Sequence, residues 1–160
     1  MPIYVKLPNI KGQTQVKGFE DQLEVYSFQF GAGLHVTPGT TNSERTVGTA
    51  SFSEVTLTRN SDSATPQLLQ HLAAGEVLAG DTIVTFVRED KGEKLPLLIV
   101  TLTDVILSTV SISSGGDLPS ETIALNYAVI KVDYTKQKEE GSKEGVAPFG
   151  WNISTNESAA

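Results

Sequence analysis

Three long runs of this chain alternate apolar and polar residues and then change phase without a break. In "QLEVYSFQFGAGLHV" (Gln22–Val36), Leu23 and Val25 face one way, then Tyr26, Phe28, Phe30, Ala32 and Leu34 face the other. Leu95–Ile112 carries Leu97, Ile99, Val105 and Leu107 on one phase and Leu98, Val100, Leu102, Ile106 and Val110 on the other. In Thr122–Tyr134, Ile123, Leu125, Tyr127 and Val129 give way to Ile130, Val132 and Tyr134. A one-residue slip in a period-2 pattern marks a bulge, or a strand that leaves one sheet for another. Such slips suggest a small barrel, or a sandwich with shared corner strands. Taken as single strands, the two later runs are apolar on both faces, which places them inside layered structure or between subunits. Oligomerisation through sheet faces is the expectation.

The rest of the chain supplies little to cover those faces. Ile3–Leu7, Phe52–Asn60 and Asp81–Arg88 read as further strands, and "EDKGEK" as a charged turn. The one helix is "SDSATPQLLQHLAAGE", with Thr65 expected as N-cap, Pro66 at the first helical position and Gly75 just past the end. Leu68, Leu69 and Leu72 form a narrow apolar stripe, enough to plug one end of a barrel. Thr37–Ser51 is polar and aperiodic and reads as a long loop; loops of that length are commonly functional or disordered. Residues 136–160 read as a polar tail ending in "GWNIS".

A length of 160 residues fits one domain with a real core. The net charge is −7 and the basic residues are scattered, so there is no stripe for nucleic acid or for an anionic membrane surface. There is no cysteine, which removes disulfides, thiolate zinc sites and cysteine nucleophiles together. The longest apolar runs, such as "LPLLIV" (Leu95–Val100), fall far short of the ~20 residues of a membrane-spanning helix. "MPIYVKLPNIKG" has no signal-peptide core, so synthesis in the cytoplasm is expected.

No catalytic pattern emerges. His35 and His71 belong to no metal-ligand spacing, and no nucleophile elbow is present. Gly31/Gly33 and Gly115/Gly116 match no phosphate-binding signature and suit bulges and turns. Glu54 and Asp104 lie in strand patterns without forming an acid/base couple. Asn152-Ile-Ser and Asn156-Glu-Ser match the glycosylation sequon in a Ser/Thr-rich tail, where chance matches are frequent. The expectation is a protein that is not an enzyme, with no cofactor and no metal.

Four features in order carry a resemblance: the opening strand with its "IKG" turn, "VTLTRNSDSATPQLLQHLAAGE", "TLTDVILSTVSISSGG…ETIALNYAVIKVDY", and the terminal "GWNI". Together they resemble the haemolysin-coregulated protein (Hcp) family, the tube component of bacterial type VI secretion systems, over nearly the whole chain. The family often has a lysine after the aspartate at the helix start, where this chain has Ser63.

The resemblance implies a single domain over 1–160: a mainly β, small barrel of two sheets with one short helix, assembling as a hexameric ring. Rings stack into a hollow tube that can carry small effector proteins in its lumen. The implied partners are other copies of the chain, the spike protein at the tube tip, the surrounding sheath and effectors. The implied route is from the bacterial cytoplasm out through the secretion system. Thr37, Pro38, Gly39, Thr40, Thr41, Asn42, Ser43, Glu44 and Arg45 are then expected to reach a neighbouring subunit or ring. The small side chains of Ser111, Ser113 and Ser114 are candidates for the lumen surface. The long strand of the third run is expected to bury one face in the barrel and the other against a neighbour or the lumen wall. Two other readings compete: a monomeric β-barrel binding a ligand with Tyr26, Phe28, Phe30 and Trp151, and a tail-tube protein of a phage-like contractile particle.

Overall fold

A computed structural model describes residues 1–38, 46–137 and 143–159. It shows a change of sheet at all three phase changes, which is one of the two options read for the first run and corrects the single-strand reading of the two later ones. Gln22–Val36 is three strands, β2 (Leu23–Val25), β3 (Ser27–Gln29) and β4 (Ala32–Val36). Leu95–Ile112 is split between β8 (Glu93–Thr103) and β9 (Ile106–Ser113), and Thr122–Tyr134 between β10 (Ser120–Asn126) and β11 (Val129–Gln137). The phase changes where the chain turns a corner from one sheet to another, at Tyr26, at Asp104–Val105 and at Tyr127–Ala128. At the second corner Asp104 takes a left-handed conformation (φ 54°), one that aspartate tolerates better than most residues. Each half turns one face to the same core, but β8 is apolar on both: Leu98, Val100 and Leu102 face the core, while Ile99 stands half-buried on the other side in one row with Thr85 and Tyr4.

The remaining strands are β1 (Ile3–Lys6), β5 (Val47–Phe52), β6 (Val55–Asn60), β7 (Thr82–Asp90), β12 (Lys143–Asn152) and β13 (Glu157–Ser158). One sheet has seven strands in the order β13-β12-β11-β8-β7-β1-β2, and the other has four, β3-β6-β10-β9. All pairings are antiparallel. The strands β4 and β5 form a separate two-stranded ribbon. Val5, Leu23, Val84, Leu102 and Ile130 from the larger sheet meet Val55, Leu57, Ile123 and Leu125 from the smaller in one core. Phe28 of β3 meets Phe86 of β7 edge to face, with centroids 5.1 Å apart.

Two stretches read as irregular are in part strands. Val47–Phe52 pairs with β4, so the long loop of 37–51 is at its far end the second strand of an arm; 39–45 lie outside the described residues. Lys143–Asn152 pairs with β11 along its whole length, so much of the polar tail is an integral strand of the larger sheet. Gly145, Pro148 and Gly150 interrupt its sequence pattern, but the open edge of β11 supplies the hydrogen bonds. Pro148 sits where β12 has no outer neighbour, since β13 covers only Trp151 and Asn152.

The helix α1 (Thr65–Ala74) packs against β9, with Leu68 fully buried and Leu72 against the core, while Leu69 is 41% exposed. Thr65 is its first residue and not its cap; the capping position falls on Ala64, which makes no side-chain cap bond. Asp62 Oδ1 accepts the Ala64 N–H instead, at 2.8 Å, which leaves the Thr65 hydroxyl free for another role described below. The stop at Gly75 is as expected: its φ of 64° is left-handed, and its N–H bonds to the Leu72 carbonyl. Gly12 of the "IKG" turn has a different reason to be glycine. A Cβ there would lie 2.2 Å from the Gln22 carbonyl oxygen, so only glycine lets this loop close onto β2.

Candidate assembly surfaces

Residues directly opposite one another in a sheet project from the same face, and neighbours along a strand project from opposite faces. Applied to the four-stranded sheet, this sorts its side chains into two sets. Facing the core are the rows Phe28–Leu57–Ile123–Val110, Val55–Leu125–Leu107 and Arg59–Glu121–Ile112. Facing away are Ser27–Thr58–Thr122–Ser111, Gln29–Thr56–Ala124–Thr109, Asn60–Ser120–Ser113 and Asn126–Ile106. The outward set holds no charged side chain, and its one large apolar member is Ile106 at the corner end of the sheet, in a chain whose net charge is −7. Ser111 and Ser113 stand on this face, with Ser113 Oγ 3.3 Å from Ser120 Oγ. Ser114 does not; it lies in the β9–β10 turn, where its hydroxyl donates to the Asp117 carbonyl at 3.0 Å.

The outer edge of this sheet is equally plain. Strand β9 reads ILSTVSIS, with no charge and no proline, and it is an edge strand whose one protection of this kind is a bulge at Ser108. Soluble proteins usually blunt such edges with lysine, proline or a bulge, because free N–H and C=O groups invite another strand. The opposite edge, β3, reads SFQ.

The β4–β5 arm is a second unpartnered surface. Leu34 lies opposite Ala50 and Val36 opposite Val47, which puts apolar side chains on one face of the ribbon. Leu34 is 51% and Val47 62% exposed. At its root, Phe52 stacks on Phe30 and on Trp151. Thr37, whose N–H bonds to the Thr46 carbonyl, and Pro38 continue the arm outward, both exposed. The other candidate loop residues, 39–45, lie outside the described residues.

Comparison with known proteins points to one family. Residues 4–134 match the family model for the type VI secretion system effector Hcp. The chain belongs to the Hcp family. It is 28% identical to protein Hcp1 of Pseudomonas aeruginosa, over 96% of both chains. A solved structure of a type six secretion system protein superposes with a TM-score of 0.90 at 27% identity, covering 98% of each chain. At 12% identity and a TM-score of 0.52, the chain shares its fold with a component of the anti-feeding prophage baseplate, over 82% of this chain and 90% of that one. Hcp proteins are secreted structural tube subunits and not enzymes, and this chain is a tube subunit of that kind. Among the described residues, no helix is long and apolar enough to cross a membrane.

The competing ligand-barrel reading fails on packing. Phe28, Phe30 and Trp151 pack against the core, and Tyr26 points elsewhere, so the four aromatics line no common cavity. A groove of about 540 Å³ opens where β5, β8 and β12 end, and its lining includes Phe52, Val77, Ile106 and Ile153 with the carboxylates Glu54 and Asp104. Tyr127 also reaches it. Its hydroxyl donates to the Ser53 carbonyl at 2.7 Å, and burial pushes the phenol up to about 12. His35 is exposed on β4, and His71 Nδ1 lies 3.6 Å from Glu76 Oε2 at the end of the helix. Among the described residues no cluster of histidines and carboxylates is placed to hold a metal.

The feature the sequence reading missed is ionic and buried. Arg59 and Glu121 have side chains 2% and 0% exposed, with Arg59 Nε 3.4 Å from Glu121 Oε1. At that length the contact is a charge pair more than a hydrogen bond, and Nε donates to the Asn60 carbonyl at 3.0 Å. Arg59 Nη2 also pairs with Asp62. Glu121 Oε2 accepts from Thr65 Oγ1 at 2.8 Å and from Ser61 Oγ at 3.3 Å. This is where the Thr65 hydroxyl is used: it ties the helix start to β10.

Proposed function

We propose that this Hcp chain closes head to tail into a hexameric ring, with the hydroxyl-rich face of the four-stranded sheet turned to the lumen. The observation that carries the reading is that face together with its two uncharged edges. Four antiparallel strands leave edges running in opposite directions, so β9 of one copy can pair with β3 of the next and keep the antiparallel order. Such a contact is heterologous, and it closes into a ring or runs on as a filament. Six sheets of four strands at about 4.8 Å per strand give a wall roughly 115 Å around, hence a channel roughly 37 Å across at the backbone before strand tilt widens it.

A channel lined mainly by Ser, Thr, Asn and Gln, with Ile106 at one end, offers hydrogen bonds with no charge and little apolar surface, which suits cargo that must be held and then released. Small effector proteins are the cargo we assign to it, with Ser111 and Ser113 on the contact surface. Ser114, in the turn, belongs to the channel mouth. The arm, including Thr37, Pro38 and 39–45, is assigned to a neighbouring subunit or ring. An isolated two-stranded ribbon is marginal in water, and this one carries Leu34, Val36 and Val47 uncovered. The spike and the sheath are the remaining partners, at the tube's tip and around its outside, and export proceeds from the bacterial cytoplasm through the secretion system.

Native mass spectrometry at micromolar concentration, with negative-stain images of the same sample, tests the ring. The expected result is a species of six times 17.1 kDa and ring-shaped particles with a central channel. A monomer at every concentration would sink the reading.

A further inference from the structure

We infer that the buried Arg59–Glu121 pair is a register lock for the four-stranded sheet, and that ring closure depends on it; the second half rests on the ring reading above. A hairpin's register is fixed by its turn. The β9–β10 hairpin has one, but β6 is joined to neither of its neighbours by a tight turn: the arm separates it from β3, and the helix with three further strands separates it from β10. Its register is therefore left to side chains.

Most of those side chains cannot choose. On the outward face Ser, Thr, Asn and Ala are interchangeable in size and polarity. On the inward face, sliding β6 by two residues sets Leu57 opposite Leu125 and Val55 opposite Tyr127, in place of Ile123 and Leu125. Every apolar side chain keeps its face and finds an apolar partner. What the slide breaks is the charge row. Arg59 moves from Glu121 to Ile123, leaving a buried guanidinium and a buried carboxylate apart, and separating buried charges is severely penalised. Asp62 follows Arg59 in the same segment and moves with it, so the guanidinium keeps that partner and the penalty falls on Glu121, left buried without its cation. Glu121 is the member of the cluster that reads the position of β10, and its bonds from Ser61 and Thr65 hold its carboxylate in place.

The lock matters beyond the subunit. Strand β3 travels with β6 and lies at one edge of the sheet, while β9 travels with β10 and forms the other. A two-residue slip offsets these edges by about 7 Å along the strands. Repeated at six identical contacts, the offset accumulates to about 40 Å, and the assembly opens into a helix.

The chain has no cysteine, so paired cysteine substitutions report register directly. Thr58 lies opposite Thr122 in the observed register and would lie opposite Ala124 after the slip. With Arg59 and Glu121 intact, Thr58→Cys/Thr122→Cys should oxidise readily. Thr58→Cys/Ala124→Cys should give less than about a tenth of that yield, because its Cα atoms are too far apart for a bridge. In the Arg59→Met/Glu121→Leu background the second pair should rise to a yield comparable with the first, and images should show open spirals. Oxidation at the first pair alone in that background overturns the lock. Slipped crosslinks in closed rings overturn only its role in closure. A wild-type chain that never forms rings while its crosslinks behave as stated leaves the lock standing and removes the ring reading. Should the apolar double variant fail to fold, Glu121→Gln removes the charge with little change of shape, and a several-fold rise at the second pair is expected; no rise overturns the proposal.

Discussion

On its inner face the four-stranded sheet presents Leu57, Ile123 and Leu125 with no exposed surface; one residue along the same strands, its outer face presents Thr58, Thr122 and Ala124. The inner set is bulky, branched and fixed by contact with the opposite sheet. The outer set is small, neutral and in contact with little else in the subunit. The difference teaches where each kind of information is held. Inner residues decide whether the subunit folds and in which register, whereas outer residues are free to answer to whatever the assembled tube must do.

The largest effect should come from the inner row that carries charge. Arg59→Ala leaves Glu121 buried beside Asp62 with no cation, and removing one partner of a buried pair typically costs about 3–5 kcal/mol. Urea denaturation of the variant under conditions where it is monomeric would measure this. A loss below about 1 kcal/mol would mean the carboxylates are held without Arg59, and the inner face would then be only an apolar surface.

Next in size is a direct contrast across the sheet. Leu57→Ala should cost about 2–5 kcal/mol, because a fully buried leucine leaves a cavity when truncated. Thr58→Ala, on the adjacent outward position, should change stability by less than about 0.5 kcal/mol. Equal losses in the two variants would show that the outer face is also packed within the subunit, and the comparison would collapse.

How far could the sequence reveal these two faces? In β6 and β10 the period-2 pattern marks the inner face, since Leu57, Ile123 and Leu125 all fall on one phase, whereas β5 and β12 carry no such pattern and read as loop and tail. It could not say what a phase change meant. A bulge and a change of sheet leave the same trace in one strand, and only the pairing of β10 with β6 and of β11 with β8 distinguishes them. The ion pair was harder still, because its members lie 62 positions apart in the chain. A signal did exist: Arg59 shares the phase of Val55 and Leu57, and Glu121 that of Ile123 and Leu125. A lone charge in the buried phase of a strand asks for a partner, and here each of two strands offers one of opposite sign. The Thr65 hydroxyl misled for a related reason. It looks like a cap from local sequence, but it donates its hydrogen bond to a carboxylate on a distant strand and accepts one from the Asp62 N–H, outside the helix.

A smaller effect should appear at the corner between the two sheets. Tyr127→Phe removes the bond to the Ser53 carbonyl and should cost about 1 kcal/mol near neutral pH. The pH dependence sharpens this. The folded phenol titrates at about 12 and the unfolded one at the usual 10.0, so the folded state favours the protonated form. The stabilisation it brings is fully present below pH 10 and is lost as pH rises towards 12. Wild type should therefore lose stability over that window more steeply than Tyr127→Phe. Parallel alkaline limbs would mean the hydroxyl is hydrated and the corner is open to water.

The smallest effect on the subunit should be the most informative about the tube. Thr122 lies on the outer face and is only partly exposed, so Thr122→Lys places an ammonium on a long stem that can reach solvent. Folding stability of the monomer should change by less than about 0.5 kcal/mol. In a closed ring, however, the substitution repeats around one channel and sets like charges across the same water, where they repel and shift which cargo surface is tolerated. Ring yield should fall at low ionic strength and recover as salt screens the repulsion over a Debye length of about 8 Å. A variant that folds normally and assembles equally well at every salt concentration would place Thr122 away from the channel. The neutrality of the outer face would then need a reason outside the lumen. If assembly fails with the expected salt dependence, a position nearly silent in the monomer controls the ring, which is how a surface acts when its chemistry answers to the assembly and not to the fold.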